Sequence, residues 1–392
     1  MEYRLDEIFD LQMGKTPSRN NPEYWNSEDN KWISIADLSK CGKYIEETKE
    51  YLSDKAVNES GISLIPANTV IMSFKLSIGK TAITSEPMYS NEAIMSFRDK
   101  HVVGILPDYI YYMFSGKNWE EGTNKAVMGK TLNKATLSGV KVSIHDIERQ
   151  REIVDVLDKL SSVIDNRQHE LYKLDELIKV RFVELFGDLN INNMGWDEKP
   201  LLDVCNQLKR YPTFCNMEYI EHGTRVIRIG NILLDGHMDI DEANYVFVYD
   251  TVNDDFPDTV IEKYDIVMAV RGDGSAAKRI GIIQEDKLIG ANISPNLIRI
   301  QANPNIVDPI FLFYYLTGEV GQKRLDAYVN KTAKKNIAAK DIAKVITPIP
   351  DMELQKEYVG FVKQVDKSKV AVRKALDETQ KLFDSLMQEY FG

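Results

Sequence analysis

Cysteine and histidine are scarce: the 392 residues hold three cysteines, Cys41, Cys205 and Cys215, and five scattered histidines. With no CxxC pair and no histidine at zinc-ligand spacing, a disulfide-stapled module and a metal centre are both excluded, and the cysteines read as buried free thiols. Long apolar runs are missing too; the longest, residues 310–316, falls far short of the roughly 18 to 20 residues that cross a bilayer and reads as core. The opening MEYRLDEIFD lacks the basic-then-apolar layout of a signal peptide, so a cytoplasmic protein is expected. Low-complexity tracts are absent, and 43% hydrophobic with 28% charged residues is the composition of an ordered chain long enough for two or three domains.

Recognisable catalytic patterns are lacking as well. The stretch "SIGKTAI" contains Gly79-Lys80-Thr81, but a phosphate-binding loop requires glycine where Phe74 stands and must open a helix. "NNPEYW" at residues 20–25 is similar to the Asn-Pro-Pro-Tyr/Phe motif of adenine methyltransferases. Glu23 replaces the second proline, however, and no glycine-rich nucleoside turn precedes it, so a polar turn with buried aromatics is the better reading. No GxSxG, HExxH, paired-carboxylate or Cys/His nucleophile pattern can be assembled. A chain that performs no bond chemistry itself is expected.

Net positive charge is also missing: 49 Lys and Arg against 60 Asp and Glu give −11. That total hides a zoned distribution. Residues 122–144 carry Lys125, Lys130, Lys134 and Lys141 and no acid; residues 321–347 carry seven cations against Asp326 and Asp341; residues 235–265 carry ten acids against Lys263 alone.

What the chain does have is an internal repeat. A constant offset of 205 superposes residues 145–187 on 350–392 without a gap, and ten of the 43 positions are identical, among them Glu148/Glu353, Gln150/Gln355, Phe186/Phe391 and Gly187/Gly392. Upstream, "TVIMSFKLSIGKTAI" resembles "DIVMAVRGDGSAAKRIGII", "WISIADLS" resembles "VIRIGNIL", and "YYMFSG" resembles "FYYLTG", in the same order in both halves. Short β-rich runs alternating with turns and an occasional helix predict an α+β fold for each globular part. The boundaries read as a first domain over 1–144, a spacer helix over 145–195, a second domain over 196–349 and a second helix over 350–392.

Each helix carries a narrow 4,3-spaced apolar seam. In the first it is Ile153, Leu157, Leu160, Ile164, Leu171, Leu174, Ile178 and Leu185, interrupted by Arg167 and Arg181. In the second it is Tyr358, Val362, Val365, Val372, Leu376, Phe383, Leu386 and Tyr390, interrupted by Lys369 and Thr379. A 3.5-residue seam predicts a partner helix, and the nearest is the other copy; packing of each stripe on its own domain is the alternative. An antiparallel pair of such helices, each about 60 Å long, would make a pseudo-two-fold spacer between two equivalent domains.

Cations recur at matched places in the two halves. Lys15 and Arg19 stand opposite Lys209 and Arg210, Lys75 and Lys80 opposite Arg271, Lys278 and Arg279, and Lys130 and Lys134 opposite Lys331, Lys334 and Lys335. Lys and Arg neutralise phosphates, and polar side chains reaching groove edges discriminate bases, so the repeated set predicts contact with double-stranded DNA.

With these residues in hand, the whole chain resembles the specificity subunit of a type I restriction-modification system. The resemblance rests on "LDEIFDLQMGKTPSRNNPEYW...WISIADLS", on "VIMSF...SIGKTAI", and on the boundary "LNKATLSGVKVSIHDIERQREIVDVLDKL" repeated as "NIAAKDIAKVITPIPDMELQKEYVGFVKQVD". The family's proline-rich boundary survives only in weaker form, as "VSIHDIERQ" and "TPIPDMELQ". The resemblance implies two target recognition domains reading the two parts of an asymmetric DNA target, separated by helices that pair antiparallel and dock two modification subunits. It further implies restriction subunits as partners, with S-adenosylmethionine, ATP and Mg bound by the partners and no cofactor on this chain. The competing expectations are a stand-alone adenine methyltransferase or fusion enzyme with a degenerate motif, and a purely architectural coiled-coil dimeriser.

Overall fold

The computed structural model describes residues 1–75, 77–119, 132–212, 217–271, 279–330 and 336–392. The chain divides into two compact units, 1–169 with 373–392, and 170–372. The long helices run Ile147–Phe186 and Met352–Phe391, so each unit contains one globular part and a portion of both helices.

In the first unit, strand Glu2–Arg4 pairs antiparallel with Lys141–Ser143, closing the globular part just ahead of the helix. A five-stranded sheet follows in the order Phe9–Met13, Ile94–Asp99, Val70–Ser73, Thr81–Thr84, Tyr44–Ile45, and a three-stranded one in the order Glu50–Leu52, Asn30–Ile33, Tyr89–Ser90. Successive strand residues face opposite sides of a sheet. Val70 and Met72 therefore join the cluster with Phe9, Leu11 and Phe97, while Ile71 joins a second cluster with Ile33, Leu38 and Ala82. A strand covered on both faces explains why Val70, Ile71 and Met72 are apolar in succession rather than alternating with polar residues.

The second unit repeats this plan. Asp197–Pro200 pairs with Ile346–Ile349; a four-stranded sheet runs Cys205–Arg210, Leu297–Ala302, Ile266–Ala269, Ile280–Ile282; and Val246–Val248, Thr224–Ile227 and Asn292–Ile293 form the three-stranded sheet. In both small sheets the central strand has one antiparallel and one parallel neighbour. Ile266, Met268 and Val270 face one cluster, and Val267 and Ala269 another.

The glutamine shared by the two boundaries has one job in both units. Gln150, fully buried, accepts from Leu106 N at 2.9 Å and donates to the carbonyls of Gly104 at 2.8 Å and His145 at 2.9 Å. Gln355, also fully buried, accepts from Asp308 N at 2.7 Å and donates to Pro350 O at 2.8 Å and Ile306 O at 3.4 Å. Leu106 and Asp308 are the caps of helices Pro107–Gly116 and Pro309–Thr317. Each glutamine thus satisfies the backbone where domain helix and long helix meet, which only a side chain with both donor and acceptor can do.

The helices pair antiparallel within each unit. In the first, Ile153 and Leu157 share a core with Phe383, Leu386 and Tyr390; in the second, Ile178 and Phe186 share one with Tyr358, Val362 and Val365. Every predicted seam residue is buried or half-buried. The seam exceptions are used as well: Arg181 meets Glu357 across the pair at 2.5 Å, and Lys369, 3% exposed, meets Asp175 at 2.6 Å. The ends also pack on the domains, as Phe391 does on Tyr109 in the first unit and Phe182 on Phe311 in the second, so the two packing expectations hold together.

The first helix stops before the predicted spacer boundary at residue 195. Gly187 adopts φ +74°, where a Cβ would lie 2.3 Å from Asn193 Oδ1, and that side chain accepts from Asp188 N at 2.9 Å. Turns then lead to strand Asp197–Pro200. Cys41 and Cys205 are free, as expected, but half-buried rather than buried, Cys41 just past the turn after a short helix and Cys205 on the edge strand of its sheet; burial pushes the Cys205 thiol up to about 12. Cys215 lies outside the described residues. Among the described residues, no helix is long and apolar enough to cross a membrane, and no group of three or more Cys, His, Asp or Glu is placed to hold a metal.

Candidate nucleic-acid interface

Strand register makes the two halves comparable residue by residue. Ser73 pairs with Ile94 as Ala269 pairs with Leu297, and Met72 pairs with Thr81 as Met268 pairs with Ile280. Lys75 therefore corresponds to Arg271 and Lys80 to Arg279, beside the ends of equivalent paired strands, and in the first unit the two lysines flank a hairpin turn. This turn is no phosphate loop: Ser73–Lys80 hydrogen bonds close an antiparallel hairpin, and Gly79, at φ +87°, packs against Trp119. Lys80 is exposed and Lys75 half-buried, 5.3 Å over the Phe74 ring.

Other predicted cations gather at this end of the sheet. Met13, opposite Met95, delivers Lys15 there, where its backbone N donates to Ser90 O at 2.8 Å and its side chain reaches Ser60 O. Leu132 N donates to Phe74 O at 3.2 Å, which brings the helix start with exposed Lys134 to the same edge. In the second unit Arg210, opposite Ile298, occupies the register of Met13 and donates to Pro295 O at 2.7 and 3.0 Å. Burial, and after it the neighbouring Arg271 charge, lower the Arg210 pKa. Arg279 donates to Ile232 O at 3.0 Å. Lys130, Lys278, Lys331, Lys334 and Lys335 lie outside the described residues.

Two predicted cations are instead tied up. Arg19 forms a bidentate pair with Glu50 and stacks 3.7 Å from the Trp25 centroid; the hydrogen bond to Glu50 raises its pKa. Lys209 pairs with Asp258 at 2.7 Å. The latter belongs to a pattern that accounts for the acidic tract 235–265. Asp265 and Glu262 hold Arg299, whose side chain is 2% exposed, and Glu242 holds Arg225, so much of the tract neutralises arginines and lysines from other strands. "NNPEYW" is structural too: Asn21 caps the short turn Pro22–Tyr24, Tyr24 donates to Glu59 at 2.7 Å, and Trp25 meets Trp32 edge-on.

Sequence reasoning missed an open cleft of about 830 Å³ in the second unit, lined by Tyr219, Arg228, Asn231, Asn244, Ser294 and Asn296 among others. The signal was present in "VIRIGNIL" set against "WISIADLS", which places Arg228 opposite Ser34 and Asn231 opposite Asp37. A cation standing where the copy has a hydroxyl marks a point of divergence.

Comparison with known proteins agrees with this architecture. The family model described as "Type I restriction modification DNA specificity domain" matches residues 1–176 and again 193–379. The chain belongs to that family. Within it, the chain is 28% identical over 187 residues to the MjaIX specificity subunit of Methanocaldococcus jannaschii, covering 47% of this chain and 42% of that one. It is 24% identical over 295 residues to the EcoBI specificity subunit of Escherichia coli, covering 68% and 60%. The chain thus spans about half the length of these two relatives. A chain solved in work on complex assembly and conformational transition of the type I system shares its fold, with TM-score 0.61 and 15% identity, covering 100% of this chain and 97% of that one. The S subunit from M. genitalium does likewise, with TM-score 0.56 and 14% identity, covering 100% and 96%.

Proposed function

We propose that this chain is the DNA-recognition subunit of a type I restriction-modification complex. The observation that carries the reading is the duplication: one domain built twice on an antiparallel helix pair, each copy presenting cations at the same end of its sheet but with different neighbours. Equivalent cations supply phosphate contacts that hold either copy on the duplex, and the differing neighbours supply different base contacts. An asymmetric target in two parts follows, with the helices setting the gap.

On this reading the chain acts in the cytoplasm and performs no bond chemistry. Two modification subunits dock on the paired helices and bring S-adenosylmethionine to an adenine on each strand, and restriction subunits with ATP and Mg join them. Co-expression with a modification subunit, followed by mapping of methylated adenines across a genome, tests this directly. The expected result is a split motif with two defined parts around a fixed unspecified gap; a contiguous motif contradicts it.

A further inference from the structure

We infer that Arg228 reads a guanine in the part of the target contacted by the second unit; the inference rests on the DNA-recognition reading above. Arg228 is half-buried in the wall of the cleft, immediately after strand Thr224–Ile227. Its backbone N donates to Asn231 Oδ1 at 2.9 Å, and one terminal nitrogen of its side chain donates to Asn244 O at 3.1 Å. Asn231, 2% exposed, donates to the same Asn244 carbonyl at 3.0 Å. The hydrogen bond to Asn244 O orients one end of the guanidinium before any ligand arrives. Its Nε is buried and has no hydrogen-bond partner among the described residues. That nitrogen is closed to the cleft, so the donors left to a ligand are those of the two terminal nitrogens, one of which is shared with Asn244 O.

The surroundings select the kind of acceptor. Among the described residues no carboxylate pairs with Arg228. Asp239 lines the cleft, but its oxygens accept from Asp241 N at 2.9 Å and Asn244 Nδ2 at 2.7 Å. The other lining groups named above are amides and hydroxyls, whereas a phosphate site gathers cations, as Arg210 and its neighbour Arg271 do. A single guanidinium in a concave polar wall, whose carboxylate Asp239 is already engaged by Asp241 and Asn244, suits a base edge with two adjacent acceptors, and in the major groove guanine offers these as N7 and O6.

The first unit lacks this device. Ser34 stands in place of Arg228 and donates to Asp37 Oδ2 at 2.7 Å, closing the pair on itself. Asn91 and Glu92, in place of Ser294 and Pro295, are both held by Thr16. The two units therefore differ at equivalent positions, as an asymmetric target requires.

The test uses the full chain assembled with modification subunits, comparing wild type, R228A and R228Q by methylated-adenine mapping, with assembly checked by size-exclusion chromatography. For wild type, the part of the motif assigned to the second unit contains a G·C pair. In R228A, discrimination at that pair falls roughly five- to hundred-fold, while the other part of the motif and the gap are unchanged. R228Q shifts the preference there towards adenine, which glutamine matches, and carries the test alone if R228A does not assemble. A second part without any G·C pair, an unaltered motif in the variants, or a uniform drop in methylation without relaxed discrimination overturns the assignment and makes Arg228 a structural or phosphate-contacting residue. Absence of a split motif in wild type instead overturns the recognition reading itself.

Discussion

Gln150 and Gln355 show what identity between the two copies records. Each is buried and closes three backbone groups where a domain helix meets a long helix, so its replacement by alanine leaves buried N–H and C=O groups unmatched. Either substitution is expected to cost about 2–3 kcal/mol, read as a lowered urea midpoint; an unchanged midpoint means water replaces the amide freely. Lys43 joins the first unit in a similar way, meeting Asp108 at 2.5 Å and Asp158 at 2.6 Å, while Tyr44 donates to Asp108 at 2.6 Å. Burial pushes the Asp108 carboxyl up, but the hydrogen bonds from Lys43 and Tyr44 and the Lys43 charge outweigh it, and its pKa lies below the usual carboxylate value. A depressed acid stabilises the fold above its unfolded pKa of about 3.9 and loses that contribution as pH falls through the folded pKa. Thermal unfolding of wild type measured from pH 5 to pH 2 should therefore show an acid-side loss that is smaller in Lys43→Met; equal slopes contradict it. These roles are invisible in sequence, because a buried amide and a bridging lysine are spelled like any surface residue. Only the repeat singled out the glutamines.

At the scale of elements, the helices were the most legible feature, since a sustained 3.5-residue seam marks a long helix that needs a partner along one narrow stripe. The exceptions within the seam were harder to read. Lys369 sits at a seam position with its side chain 3% exposed, against Asp175 at 2.6 Å and Asp366 at 3.8 Å. Breaking a buried pair strands its charge, whereas replacing it with apolar volume is often neutral or stabilising. Asp175→Ala is thus expected to destabilise by about 2 kcal/mol, the remaining Asp366 and the partial exposure of Asp175 limiting the loss, and Lys369→Met to cost little; chemical denaturation that ranks them in reverse refutes this account. The strands were legible as a repeated order but not as sheets. Val70–Ser73 and Ile266–Ala269 are apolar on both faces, and a continuous apolar run carries no alternation from which to read partner or register. The cations suffered the reverse problem. Charge type and matched spacing picked out Lys75, Lys80, Arg271 and Arg279, which take equivalent register positions, and equally Arg19 and Lys209, whose carboxylate partners lie 31 and 49 residues away in the chain.

For the whole molecule, duplication followed by divergence explains both what is shared and what is not. The shared residues hold helices to domains; the divergent ones, such as Arg228 against Ser34, line surfaces. On the proposed function, each domain reads its own part of one DNA target while the helices fix the gap. The most direct measurement exchanges residues 1–144 for the corresponding domain of another family member, assembles the chimera with its modification subunits, and maps methylated adenines. The expected motif has one part with the donor's bases, while the other part and the gap length stay as in the parent. A chimera that assembles and methylates, yet changes both parts or neither, contradicts it.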